Sequence, residues 1–119
     1  LKVVLPEGHP FASLERFPID ELEKEPFLLL EKSERSEISQ LLKAYDIHPK
    51  VHFTTWDDYA IMAMVEDGLG VSILPALILR RCQFDVAVRS LEGHPHRQIN
   101  AIYRTADVSL AAARFLEYL

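Results

Sequence analysis

The run Val65-Glu66-Asp67-Gly68-Leu69-Gly70-Val71-Ser72-Ile73-Leu74-Pro75 holds a helix end, a turn and a strand in close succession. Ile61, Met64 and Val65 fall on one face of a helix leading into it. Gly68 stands where a left-handed C-terminal cap is expected. Gly70 permits a tight turn into a buried strand, Val71 to Leu74, rich in β-branched residues. Pro75 stops that strand and suits the first turn of a short helix, Ala76 to Arg81. The glycine spacing does not match a dinucleotide-binding fingerprint, so no phosphate site is inferred.

Upstream, Val51-His52-Phe53-Thr54 reads as a strand, with Thr54, Thr55 or Asp57 as caps for the helix that follows. Ile38, Leu41, Leu42 and Tyr45 are spaced i, i+3, i+4 and i+7, one face of a helix. Ser33 or Ser36 caps its start, and Glu34 and Glu37 suit the positive end of its dipole. Phe27 to Leu30 forms a buried strand after Pro26, and a short helical piece, Ile19 to Glu23, follows Pro18. Lys2 to Leu5 is a strand closed by the turn cluster Pro6-Glu7-Gly8-His9-Pro10. Downstream, Phe84 to Val88 and the alternating Gln98 to Arg104 read as strands flanking the loop Glu92-Gly93-His94-Pro95-His96. A helix from Asp107 or Ser109 closes the chain, with Ala112, Phe115, Leu116 and Leu119 on one face. Strands separated by helices imply an α/β fold with a largely parallel sheet covered by helices.

The chain has 119 residues, enough for one compact domain or most of one. No apolar run approaches the length of a spanning helix. A net charge of −5 repels phosphate backbones, and the basic spots (Arg80-Arg81, Lys32 with Arg35, Arg97 with Arg104) form no stripe, so this segment is not expected to bind nucleic acid. With Cys82 as its only cysteine the chain can form no internal disulfide. The histidines, His94 and His96 in a loop and His48 and His52 about a strand start, lack the spacing of a zinc site, and neither metal nor cofactor is expected. Paired carboxylates such as Glu21 with Glu25 have no partnering base or nucleophile, so the chain is not read as an enzyme. The apolar start at Leu1, without methionine or polar lead-in, reads as a piece of a longer protein.

Four stretches together resemble the effector-binding (substrate-binding) domain of LysR-type transcriptional regulators. Val3 to Pro10 is similar to that family's strand and His-Pro turn. Asp20-Glu21-Leu22 followed by Glu25-Pro26-Phe27 resembles its D-L…E-P-F segment. Phe53-Thr54-Thr55 through Met64 to Pro75 resembles its strand, polar turn, helix and "V-x-x-G-x-G-[VI]-x-[IL]-L-P" run. Arg97, the strand to Arg104 and Phe115 to Leu119 are similar to its C-terminal end. The resemblance implies a type 2 periplasmic-binding-protein-like fold, in which two α/β subdomains joined by crossing strands flank a cleft. Residues 1–5 would be one crossover strand, 6–95 a nearly complete second subdomain, 96–104 the return crossover strand and 105–119 a helix of the first subdomain. It implies a cytoplasmic, oligomeric regulator that meets operator DNA only through a separate N-terminal domain and has no membrane partner. The helix Ile38 to Tyr45 would contribute to an interface or simply be solvated. A transport solute-binding protein shares the architecture and is the alternative.

In such a fold the effector cleft collects loops and helix N-termini, whose unpaired N–H groups favour small anions. Two starts qualify, Ser33-Glu34-Arg35-Ser36 and Thr54-Thr55-Trp56-Asp57-Asp58. The candidate effector-binding residues are therefore Ser33, Arg35, Ser36, Thr54, Thr55, Trp56 and Asp58. Ser33, Ser36 and Thr55 read equally as helix caps. Arg35 either clamps a carboxylate or is solvated, and Trp56 either floors a pocket or covers the core. Asp57 and Asp58 either offset the helix dipole or select an effector bearing an amine or hydroxyl.

Overall fold

The computed structural model describes residues 1–31, 36–104 and 108–119. Six strands and four α-helices are present among them: β1 Lys2–Pro6, β2 Arg16–Phe17, β3 Pro26–Leu30, α1 Glu37–Ala44, β4 Lys50–Thr55, α2 Asp58–Glu66, β5 Ser72–Leu74, α3 Ala76–Leu79, β6 Val86–Leu91 and α4 Leu110–Leu116. Short 3-10 turns occupy Pro10–Ser13 and Ile19–Lys24.

β1 pairs antiparallel with β5 (Val3 opposite Ile73) and with β6 (Val4 opposite Val88). β2 joins β6 in parallel, and β3 joins β4 in parallel. A parallel bridge between Phe27 and Val71 ties β3 to β5, with Leu28 N–H donating to Val71 O and Val71 N–H to Pro26 O, both at 2.9 Å. The strands thus lie in the order β2-β6-β1-β5-β3-β4, and β1 alone runs against the others. The sheet is mixed and largely parallel, as expected.

Val3, Val4 and Leu5 are fully buried, which explains the unbroken apolar run of β1: both faces of this strand are covered. Phe17, Leu22, Phe27, Leu28, Ile61, Val65, Ile73 and Leu91 pack into the same core. α2 contributes Ile61, Met62 and Val65, while Met64, expected on that face, is only partly buried. α1 buries Ile38, Leu41 and Leu42 of the expected stripe, whereas Tyr45, its C-cap, is exposed. Ser72 is the one polar residue buried among the described residues, and its hydroxyl donates to Leu28 O at 2.7 Å, a second stitch between β5 and β3. Such a bond removes the desolvation cost of a lone buried hydroxyl.

Three expectations shift. Gln98 to Arg104 forms no strand, although its residues alternate. A strand needs a partner edge, none of the described strands supplies one, and Ile99 and Ile102 stand 73% and 97% exposed. The strand expected at Phe84–Val88 begins at Val86 and runs to Leu91, because its register is set by pairing with β1. The closing helix forms from a Ser109 cap, yet Leu110, Phe115, Tyr118 and Leu119 on it and beyond it are exposed.

Gly68, at φ +76°, ends α2 with Gly68 N–H donating to Val65 O and Leu69 N–H to Met64 O. Gly70 serves a different need. A side chain there would collide with the carbonyl of Pro26, so only glycine lets β5 approach β3 closely enough for the Val71 bridge. Gly70→Ala is expected to destabilise the chain by about 1–3 kcal/mol through forced separation of these strands, measured as a lower urea midpoint. An unchanged midpoint would show that the Pro26 backbone yields freely.

Candidate functional site

β3, β4 and β5 run parallel and end at Leu30, Thr55 and Leu74. In open α/β sheets ligands bind beyond the carboxyl ends of such strands. A cavity of about 210 Å³ lies there. Leu30 comes from the end of β3, Ser36, Glu37 and Ile38 from the start of α1, Asp58 from the start of α2, and Pro75 and Ile78 from the turn into α3. Arg97, from the segment after β6, completes the lining. The apolar side chains give the walls, and two helix starts bring polar groups to one place.

The hydroxyls at these starts are already employed. Ser36 Oγ accepts from Ser39 N–H at 3.2 Å and donates to Ser39 Oγ at 3.1 Å, which donates in turn to Glu31 Oε1 at 2.8 Å. Thr55 Oγ1 accepts from Asp57 N–H at 3.2 Å. Asp57 is the cap of α2, its Oδ1 accepting from Tyr59 N–H at 2.9 Å and Ala60 N–H at 3.3 Å. Arg97 Nε sits 2.7 Å from Glu37 Oε1, and both groups are partly exposed. Asp58 differs: its Oδ1 is buried and has no hydrogen-bond partner.

Of the expected site residues, Ser36 and Asp58 meet at this cavity. Thr54 and Thr55 lie at the end of β4 without lining it. Trp56 is 77% exposed, neither flooring the cavity nor covering the core. Ser33 and Arg35 lie outside the described residues. Glu37, Pro75, Ile78 and Arg97 were not anticipated as lining. The signal for Pro75 was present, since it directly follows a buried parallel strand, and Ile78 lies one turn further on, in α3.

Among the described residues no group of three or more His, Cys, Asp or Glu is placed to hold a metal ion, and no helix is long and apolar enough to cross a membrane. Cys82 is free and half-buried, with Sγ 3.5 Å from Met62 Sδ.

A family model described as the LysR substrate binding domain matches residues 1–119. The chain belongs to the LysR substrate-binding-domain family. Among curated proteins, the HTH-type transcriptional regulator TtuA of Agrobacterium vitis is 31% identical over 88 residues, covering 71% of this chain and 29% of that protein. Of solved structures, the C-terminal domain of a probable LysR family regulator from Rhodococcus sp. RHA1 has a TM-score of 0.73 at 23% identity, covering 98% of this chain and 61% of that one. The effector-binding domain of QuiR, solved with shikimate, has a TM-score of 0.67 at 22% identity, covering 98% and 57%. These likenesses show that this LysR-family chain has the type 2 periplasmic-binding-protein-like fold. The chain spans less than a third of the curated relative's length.

The two neighbouring aspartates of this LysR-family chain have separate tasks, which stability measurements resolve. Asp57→Ala should cost about 1 kcal/mol by removing the α2 cap. Asp58→Ala removes an unpartnered acceptor and should leave the chain at least as stable as before. Equal losses in urea melts would show that both carboxylates are structural.

Proposed function

We propose that this chain is the ligand-sensing portion of a bacterial LysR-type transcriptional regulator and that its effector occupies the cavity at the carboxyl ends of β3, β4 and β5. The carrying observation is that cavity, where strand ends, two helix starts and Arg97 converge. Its volume of about 210 Å³ falls below the range of about 300–1,000 Å³ usual for ligand sites, as suits one wall of a two-sided cleft. Residues 6–95 are assigned to one subdomain, 1–5 and 96–104 to the crossover segments, and 105–119 to the facing subdomain. The exposed Ile99, Ile102, Leu110 and Phe115 support that division, since they are apolar surfaces suited to a covering partner. A domain of this fold holding shikimate supports a small organic effector. The likeness to a helix-turn-helix regulator favours the sensor over a transport solute-binding protein.

The effector shifts the population between open and closed arrangements by binding one more tightly. Operator contact is made by a separate N-terminal domain of a cytoplasmic homo-oligomer, and the sensor itself performs no catalysis. Ser36 and Asp58 are the effector-contacting residues best supported by position.

A metabolite panel tested by thermal shift on the intact regulator examines this reading. A compound at about a hundred times its Kd adds about 2.7 kcal/mol, a readily measured rise in Tm. Ile78→Trp, which fills the cavity, should abolish the rise. Full retention of the rise in that variant would place the effector elsewhere.

A further inference from the structure

Two carboxylates stand side by side at the start of α2, and only one is used. Asp57 spends its carboxylate on the helix cap. Asp58 lines the cavity and leaves Oδ1 buried without a partner. A buried acceptor without a donor destabilises the free protein, and in native structures such a group calls for an explanation, a partner from outside the chain being one. The other polar lining groups do not compete for it. Arg97 is met by Glu37 at 2.7 Å, so those charges offset one another. The Ser36 proton is directed to Ser39. Asp58 is thus the unbalanced charge of the described lining, and an ionised carboxylate only accepts hydrogen bonds.

We propose that Asp58 is a specificity-determining residue of this cavity and that the effector presents a hydrogen-bond donor, an ammonium or a hydroxyl group, to its carboxylate. The proposal rests on the reading of the cavity as the effector site. The Cβ–Cγ torsion is broad, and a partial rotation about it turns the buried oxygen out of its dry position towards a ligand. The walls of Leu30, Ile38, Pro75 and Ile78 accept the effector's carbon frame. A molecule without a donor would leave Asp58 as unsatisfied as before while adding to its desolvation, and would be rejected on that account.

The test is a thermal-shift series on the intact regulator with matched sets of amino acids, hydroxy acids and amines, each beside its donor-free counterpart, as alanine and lactate stand beside propionate. Donor-bearing members should raise Tm and bind about tenfold or more tightly than their counterparts. In Asp58→Asn that gap should narrow to about threefold or less, more completely for ammonium than for hydroxyl ligands, because the amide keeps an acceptor but loses the charge. The unliganded variant should be at least as stable as the parent. The proposal is overturned by donor-free compounds that bind equally well, by a gap that survives Asp58→Asn, by silence of every donor-bearing set, or by an unliganded Asp58→Asn protein that is less stable. Compounds whose shift persists in Ile78→Trp count instead against the cavity as the effector site.

Discussion

The site depends on the seam between β3 and β5. Two backbone hydrogen bonds around Val71 and the buried Ser72 hydroxyl stitch the β3–β4 pair to the four-stranded sheet built on β1, over a core that both share. The seam exists because Gly70 has no side chain to hold the Pro26 carbonyl away. α1 follows β3, α2 follows β4, and α3 follows β5, so closing the seam also brings three helix starts together. Without it Leu30, Asp58 and Pro75 would not share a cavity. A backbone approach at one glycine therefore determines whether there is a place for a ligand.

The cavity then combines two kinds of polar group. Ser36, Thr55 and Asp57 serve the helices and hold the starts of α1 and α2 in shape. Asp58 serves no described neighbour. A rigid frame with one unsatisfied acceptor is an economical recognition device, since ordering was completed on folding and binding need not supply it. The Arg97–Glu37 pair adds a link between the segment leaving β6 and the start of α1.

Much of the fold was legible because the responsible signals are local. The i, i+3, i+4, i+7 stripe of α1, the Gly68 cap and the Pro75 stop each act within a few residues. The apolar run from Lys2 to Leu5 also read as a strand, though its burial on both faces came only with the structure. Elements that failed or were missed depend on distant partners. Gln98 to Arg104 has the alternation of a strand but pairs with none of the described strands, and Arg16–Phe17 is a strand only because β6 passes beside it. The site was legible in outline, since both helix starts were expected to gather polar groups. The division between Asp57 and Asp58 was not, because which carboxylate turns back onto the helix is settled by backbone geometry. The Arg97–Glu37 pair likewise spans residues with no sequence relation.

The place of β1 has a consequence for how the chain is made. Lys2 pairs with Ser90, and Val4 with Val88, so β1 completes its pairing only after β6 has been synthesised. Contacts between such remote positions slow folding, because a long loop must close before they give anything back. Until then the apolar run Val3-Val4-Leu5 lacks part of its cover, the kind of exposure that chaperones attend. The four-stranded sheet therefore forms only once β6 is available, and Arg97, which follows β6 in the chain, is the last of the cavity's described lining to arrive.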